Sequence, residues 1–522
     1  MSIFKNARRN HLIKTLGKFG NDHKALLSSS SSSASSSDAP AAATLSRSFL
    51  QTLRSETFGQ PTYVTHPHLI NEGELVIGQN VETFRERRLR LMSGIQKYAE
   101  DHKADQQMKK SNLVIVPSAS KKYMSDKIPY VFRQNSDFYY LSGCLEPDSV
   151  LVMSINEKAD IKSILFMRPK DKHAEMWDGA RTGVENAPDF FGVDEAYTVQ
   201  QFPEILKKHI TSEKSHVWYD MATSDQQSIS NDVQNVAGAT SAPNSPATFI
   251  QSMRLFKSIC EQELMRKTCQ IASRAINEVI SESRPGISEH HLFAAVDYKC
   301  RMKNASYLAY PPVVAGGNNA TTIHYINNTQ LTKSGEMLLM DAGCEYGGYT
   351  SDITRTWPID GTFTPTQKVL YDVLLQLQKE LIGTLLKPGG ETLDALFDTM
   401  CIQLGKYLQE VGIVPKDIAD DNGYARAGYK FCPHHVSHYL GMDVHDTPLM
   451  PRSLRLLPGM VCTVEPGIYI AQDRKDVPKE FRGIGIRIED DVLITSDNNV
   501  EVLTAECVKE RAEVENIFLA KR

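Results

Sequence analysis

The sequence predicts an α/β (α+β) protein of two folded domains, and three observations carry that prediction. The chain has 522 residues, more than one ordinary hydrophobic core accommodates. Short apolar runs rich in β-branched and aromatic residues alternate with longer segments of helical spacing, the pattern of layered sheets and helices. A stretch rich in Ser, Asn, Gln, Ala and Pro, from Met221 to Thr248, reads as a surface loop or linker. The domains then fall at residues 59–250 and 251–522, behind a compositionally distinct segment over residues 1–58.

That first segment carries Lys5, Arg8, Arg9, Lys14 and Lys18 and no acid before residue 22. Phe4, Leu12, Leu16 and Phe19 recur at roughly helical spacing, and a serine run follows from Ser28 to Ser37, broken once at Ala34. Basic, amphipathic, Ser-rich and acid-poor is the composition of a mitochondrial transit peptide. Mitochondrial targeting, with cleavage before Gly59, is therefore expected.

In the first folded domain, Val81–Ala104 reads as a long charged helix. The runs Leu113–Val116, Phe138–Leu141, Val150–Met153 and Ile164–Met167 read as strands. Helical spacing returns over Val199–Ile210, and Val217–Tyr219 is strand-like. No catalytic constellation appears here. Trp177 and Asp178, in EMWDGARTG, read as an ordinary structured loop, with a binding surface as the alternative. The second domain opens with a helix. Ser258 and Glu261 form an S-x-x-E capping box, Leu264, Ile271, Ala275 and Val279 give one apolar face, and Pro285-Gly286 stops it. Ser288 caps a second helix to about Lys303.

Composition narrows the function. Hydrophobic residues make up 41% and charged residues 23% of the chain, as in globular proteins. A net charge of −5 offers no basic field for nucleic acid. No run of 18 apolar residues predicts a membrane span. The nine cysteines are scattered without a CxxC pair, which favours reduced, buried thiols.

The chemistry lies in the second half, where Asp341, Asp352, His438, Glu465 and Glu489 occur in order. Carboxylate oxygens with one imidazole are the donor set for one or two divalent cations such as Mn²⁺, Co²⁺ or Zn²⁺. Strands are expected over EMLLMDA and TSDITRTW, joined through Gly347-Gly348 as a hairpin. Closure at Tyr346 and Gly347 would set Asp341 opposite Asp352, with Thr354 and Thr356 on the same face as Asp352. Two aspartates facing each other repel unless a cation lies between them. The segment FCPHHVSHYLGMDVHD gathers His434, His435, His438 and His445. Glu465 precedes Pro466, so its backbone should be extended. Arg487 and Glu489 sit two apart on one strand, so Arg487 is expected to hold Glu489.

These blocks carry a resemblance. MDAGCEYGGYTSDITRTWP, HHVSHYLGMDVHD, TVEPGIYI and GIGIRIEDD, with AGGNNATTIHY upstream, resemble the pita-bread metallopeptidases. QPTYVTHPHLI, IPYVFRQNSDFYYLSGCLEPDS and AYPPVVAGG are most similar to the aminopeptidase P (Xaa-Pro aminopeptidase) family, mitochondrial type. The resemblance implies a pita-bread catalytic domain behind a smaller α/β domain. It implies a dinuclear site, most compatible with Mn²⁺, in which Asp352 and Glu489 bridge. Asp341 would serve one metal, and His438 with Glu465 the other. His324, His434 and His445 match active-site histidines of the family, whereas His435 has no counterpart role. The implied reaction is hydrolysis after the N-terminal residue of a peptide, preferentially when Pro is second, with Glu465 carrying the proton and His434 and Tyr469 walling the Pro ring. Trimming of imported mitochondrial proteins and a homodimeric or larger assembly are further implications. A dipeptide-specific prolidase and a non-catalytic peptide-binding scaffold are the alternatives.

Overall fold

The computed structural model describes residues 47–101, 111–237, 243–386, 390–495 and 499–519. The basic and Ser-rich part of the expected transit peptide lies outside them. The described residues group into two compact units that meet in sequence at Arg254 and Leu255.

The first unit is built on a five-stranded sheet. In spatial order its strands are Glu195–Thr198, Ile161–Met167, Val150–Ile155, Asn112–Pro117 and His216–Tyr219. The three central strands pair antiparallel and both edge strands pair parallel. Both central faces are buried, which explains why these strands read as continuous apolar runs rather than alternating ones. The helix Val81–Asp101 buries Phe84, Leu91, Met92, Ile95 and Ala99 at helical spacing.

Three expectations fail in this unit. Phe138–Leu141 is not a strand but part of the helix Ser136–Ser142. The Asn135 side chain accepts the Phe138 N–H at 2.9 Å, and this cap with Gly143 at the far end overrides the β-preference of Phe-Tyr-Tyr. The stretch from Met221 to Thr248 is not all loop. Gln227–Ala237 is helical because Ile229 and Val233, one turn apart, are buried despite polar neighbours. Trp177 and Asp178 end a short helix, Lys172–Asp178, capped by Asp171, and Trp177 is left exposed.

The second unit opens as expected. Ser258 and Glu261 close a reciprocal capping box on the helix Ile259–Glu282. Ser288 caps Glu289–Arg301. Behind these helices, Val313–Gly316, Met337–Ala342 and Ile353–Pro358 form one antiparallel sheet. Val461–Val464 pairs with Asp490–Ile494, and Gly467–Ile470 with Ile484–Arg487. Among the described residues, no helix is long and apolar enough to cross a membrane.

The hairpin exists, with a different register. Gly347 and Gly348, both at positive φ, form the turn, and Tyr346 pairs with Tyr349. The turn lies one residue later than expected, so Asp341 faces Thr354 rather than Asp352. The two-residue shift preserves the face, and Asp352 remains Asp341's diagonal neighbour. The second strand is also interrupted at Ser351 and Asp352.

Replacing Asn135 by Ala removes the cap that selects helix over strand. It is expected to lower the stability of the first unit by about 1 kcal/mol. An unchanged urea midpoint would show that the cap is not what holds this segment.

Candidate metal centre and peptide cavity

Asp341, Asp352, His438, Glu465 and Glu489 converge on a single cavity of about 660 Å³, which His324, His434, His435 and His445 also line. The four carboxylates sit near the end or at a break of a strand, and His438 lies in irregular chain beside the bridge between Tyr439 and Cys462. Asp341 is in the strand Met337–Ala342 and Asp352 at the interruption before Ile353. Glu465 separates Val461–Val464 from Gly467–Ile470, and Glu489 separates Ile484–Arg487 from Asp490–Ile494. Such breaks leave a side chain free to turn inward while flanking ladders hold the backbone. Donor atoms of Asp352, His438 and Glu489 lie within 4.8 Å of one another.

The contacts are specific. His438 Nε2 lies 3.4 Å from Asp352 Oδ2 and 3.7 Å from Glu465 Oε1. Its Nδ1 lies 3.1 Å from the Tyr439 carbonyl, which orients the ring and directs Nε2 toward the carboxylates. His434 Nε2 meets the Tyr469 hydroxyl at 2.9 Å. His435 stacks on Phe397 with ring centroids 4.9 Å apart.

The expectation for Arg487 requires correction. Its guanidinium forms an ion pair with Asp341 and donates to Tyr469 and to Thr354 Oγ1, each at 2.9 Å. Thr354 Oγ1 then donates to Glu489 Oε2 at 2.6 Å. Arg487 therefore reaches Glu489 through Thr354. Sharing a strand face indicates the side of the sheet but not the nearest cross-strand partner.

Sequence reasoning missed Tyr310. Its hydroxyl donates to Asp341 Oδ1 at 2.6 Å and also approaches Asp352 Oδ1. It sits in AYPP, a proline-flanked segment without periodicity, so no local signal marked it. The role of Arg355 was equally silent. Fully buried, it pairs with Asp490 at 2.7 Å and donates to the main-chain carbonyls of Thr354 and Glu489. Lys509, Gln378 and Thr504 also donate to Asp490.

The electrostatics show what the cavity lacks. Burial, then the fields of Asp352, Glu465 and Asp341, push the Glu489 carboxyl far above its usual range. Burial also raises Asp341, against the pull of Arg487, and raises Glu465 to about 7. Burial opposes charge on His438, but the hydrogen bond to Asp352 and the nearby carboxylates raise it to about 9. In return His438 holds Asp352 below its usual value despite burial. A buried carboxylate cluster that must take up protons is a cluster short of positive charge. Oxygen donors with one oriented imidazole fit a divalent cation, so these residues suit the group.

Comparisons with known proteins agree. The "Metallopeptidase family M24" model matches residues 263–496, and the "Aminopeptidase P, N-terminal domain" model matches residues 84–218. Human Xaa-Pro aminopeptidase 3 is 44% identical over 467 residues, covering 88% of this chain and 90% of that protein. The mitochondrial intermediate cleaving peptidase 55 of Arabidopsis thaliana is 37% identical over 479 residues, covering 91% and 90%. Escherichia coli aminopeptidase P with the inhibitor Pro-Leu superposes with a TM-score of 0.76 at 32% identity, covering 84% of this chain and 98% of that one.

Two outcomes follow from the geometry. With metal chelated, the folded chain binds more protons than the unfolded chain between the unfolded Glu value, about 4.3, and about 7 for Glu465. His438 adds stability that is complete below about 6.5 and lost as pH rises through about 9. The depressed Asp352 contributes constantly throughout this window, since its loss occurs only on acidification. His434, His435 and His445, held below their usual values by burial, act in the opposite sense below about 6.5, so the chelated protein should melt at progressively lower temperature from about pH 6.5 to about 9. Added divalent metal should flatten or reverse that slope, because ligands bind deprotonated. A chelated protein that gains stability over the same range would contradict the reading. Separately, Thr354→Val keeps shape but loses the link between Arg487 and Glu489. Calorimetric titration should show metal affinity reduced by about tenfold or more.

Proposed function

The chain belongs to the aminopeptidase P group of M24 metallopeptidases, and from that premise we propose that it releases the N-terminal residue of peptides and proteins, preferentially when proline is second. The observation that carries this reading is the convergence of five ligand-type side chains and three histidines of matching motif on one cavity. Residues 59–250 would form the N-terminal domain and 251–522 the catalytic domain.

Asp341, Asp352, His438, Glu465 and Glu489 would hold two divalent cations, with Asp352 and Glu489 shared. The oxygen-rich set favours Mn²⁺. When bound, the cations offset the carboxylates and supply Lewis acidity toward water and the scissile carbonyl. The chain's own residues do the rest. Glu465 takes the proton of the attacking water on a carboxylate oxygen and returns it to the leaving nitrogen. Burial and the Arg487 charge hold His434 down at about 4, so it stays neutral and pairs with Tyr469 against the proline ring. His445 is held below its usual range first by burial, so it can offer a neutral N–H to the carbonyl oxygen. His324 would complete the cradle around the scissile bond. Arg487 pairs with Asp341 and holds it in place.

The processing role rests on the plant and yeast relatives called intermediate cleaving peptidase 55 and on the basic, Ser-rich start of the chain. A mitochondrial location follows from the same two supports.

The purified protein should cleave Xaa-Pro-Yaa tripeptides in a metal-dependent manner. Activity on Xaa-Pro dipeptides alone would point to a prolidase instead. Asp352→Ala should lower kcat/KM by roughly a thousandfold, with bound metal falling in parallel. Full activity of that variant would refute the dinuclear site. A fusion of residues 1–55 to a fluorescent protein should collect in mitochondria, and a diffuse cytosolic signal would count against the location.

A further inference from the structure

One buried ion pair at the cavity wall has no part in the chemistry above. Lys257 and Asp446 are almost fully buried, and their side chains meet at 3.2 Å. Lys257 Nζ also donates to the Leu255 carbonyl at 3.3 Å. A buried ion pair is poor evidence for stability, because desolvation offsets much of its attraction. Its surroundings suggest another use.

Asp446 directly follows His445. Its main-chain N–H donates to the Tyr439 carbonyl at 2.9 Å and closes a loop over residues 439–446. The loop packs on the pair without slack. A Cβ on Gly441 would lie 2.4 Å from Asp446 Oδ2 and 3.0 Å from Lys257 Cε. The Gly441 carbonyl accepts from Thr350 N at 2.8 Å and from its hydroxyl at 2.9 Å, two residues before Asp352. On the other side of Asp446, Thr447 has φ +47°. A β-branched residue in the left-handed region is strained and persists only where its surroundings force it. The Thr447 hydroxyl is buried without a hydrogen-bond partner among the described residues, so it does not supply that force.

His445 stands edge-on to His438, with ring centroids 4.5 Å apart. Among the described residues no hydrogen bond orients its imidazole. Its direction is therefore set by the main chain on either side, which is where the ion pair and the strained residue lie.

We infer that Lys257 and Asp446 are positioning residues. Their buried pair holds the strained turn at Thr447 and thereby aims His445 at the scissile carbonyl. The inference rests on the role proposed for His445.

The test is a double-mutant cycle on the full-length, metal-loaded protein. Asp446→Asn keeps the shape and removes the charge. On a Pro-second tripeptide it should lower kcat by about tenfold with KM changed by less than about twofold. Bound metal, measured by elemental analysis, should stay at the wild-type level. Added to His445→Ala, the same substitution should cost less than about a further twofold, since no imidazole is left to misplace. Lys257→Arg, which keeps the charge but displaces it, runs the same cycle if Asp446→Asn does not fold. Multiplicative losses in the double variant, loss of metal, or wild-type kcat for Asp446→Asn would each overturn the inference. A wild-type protein inactive on every peptide would overturn the proposed function instead, which keeps the two failures distinguishable.

Discussion

Four carboxylates gathered around one cavity, paired among the described residues with the cations Arg487 and His438, form the constraint on which the catalytic unit depends. Each neighbour can be understood as a response to that unbalanced charge. Arg487 is placed to serve Asp341 directly and Glu489 through a threonine hydroxyl. His438 is turned by a main-chain carbonyl so that one nitrogen faces inward. The consecutive residues Glu489 and Asp490 make the contrast sharp. Asp490 faces Arg355 and Lys509 and is held far below the usual carboxylate range. Glu489 faces other carboxylates and is pushed far above it. Two neighbouring carboxyl groups, both buried, thus have opposite fates. The first is neutralised by the protein, and the second is left needing an external cation.

The same alternation joins folding to function. Thr354 and Arg355 point to opposite sides of one strand, as do Glu489 and Asp490 across from them. On one side lies the reactive cavity. On the other, a satisfied ion-pair network holds the Glu489 main chain through Arg355. The charge of Asp490 is thus met within the scaffold, while the cavity retains unbalanced carboxylates.

Much of this was legible in the residues. Acids placed inside apolar strand-like segments stand out against their surroundings, and the four singled out in this way line one cavity together with His438. The Ser258–Glu261 box announced a helix because its signal is local. What escaped depended on non-local or competing effects. The register of the hairpin turned on which two residues occupy the turn, and pattern alone does not separate Tyr346-Gly347 from Gly347-Gly348. The Phe-Tyr-Tyr run has strand propensity, but the Asn135 cap decided its fate. Tyr310 and Arg355 act across the fold, on partners 31 or more residues away for Tyr310 and 134 or more for the Glu489 and Asp490 contacts of Arg355. No window of sequence displays such pairings.

The two-glycine turn has a consequence for how this gene can change. Because side chains alternate along a strand, the face on which Asp352 emerges depends on whether the number of residues separating it from Asp341 is odd or even. An insertion or deletion of a single codon within one paired arm, unless a bulge absorbed it, would rotate one aspartate out of the cavity. A change of two codons would return it to the same side, at a displaced level. Length variation in the paired arms should therefore pass selection in even steps, so that the hairpin acts as a parity filter on its own evolution.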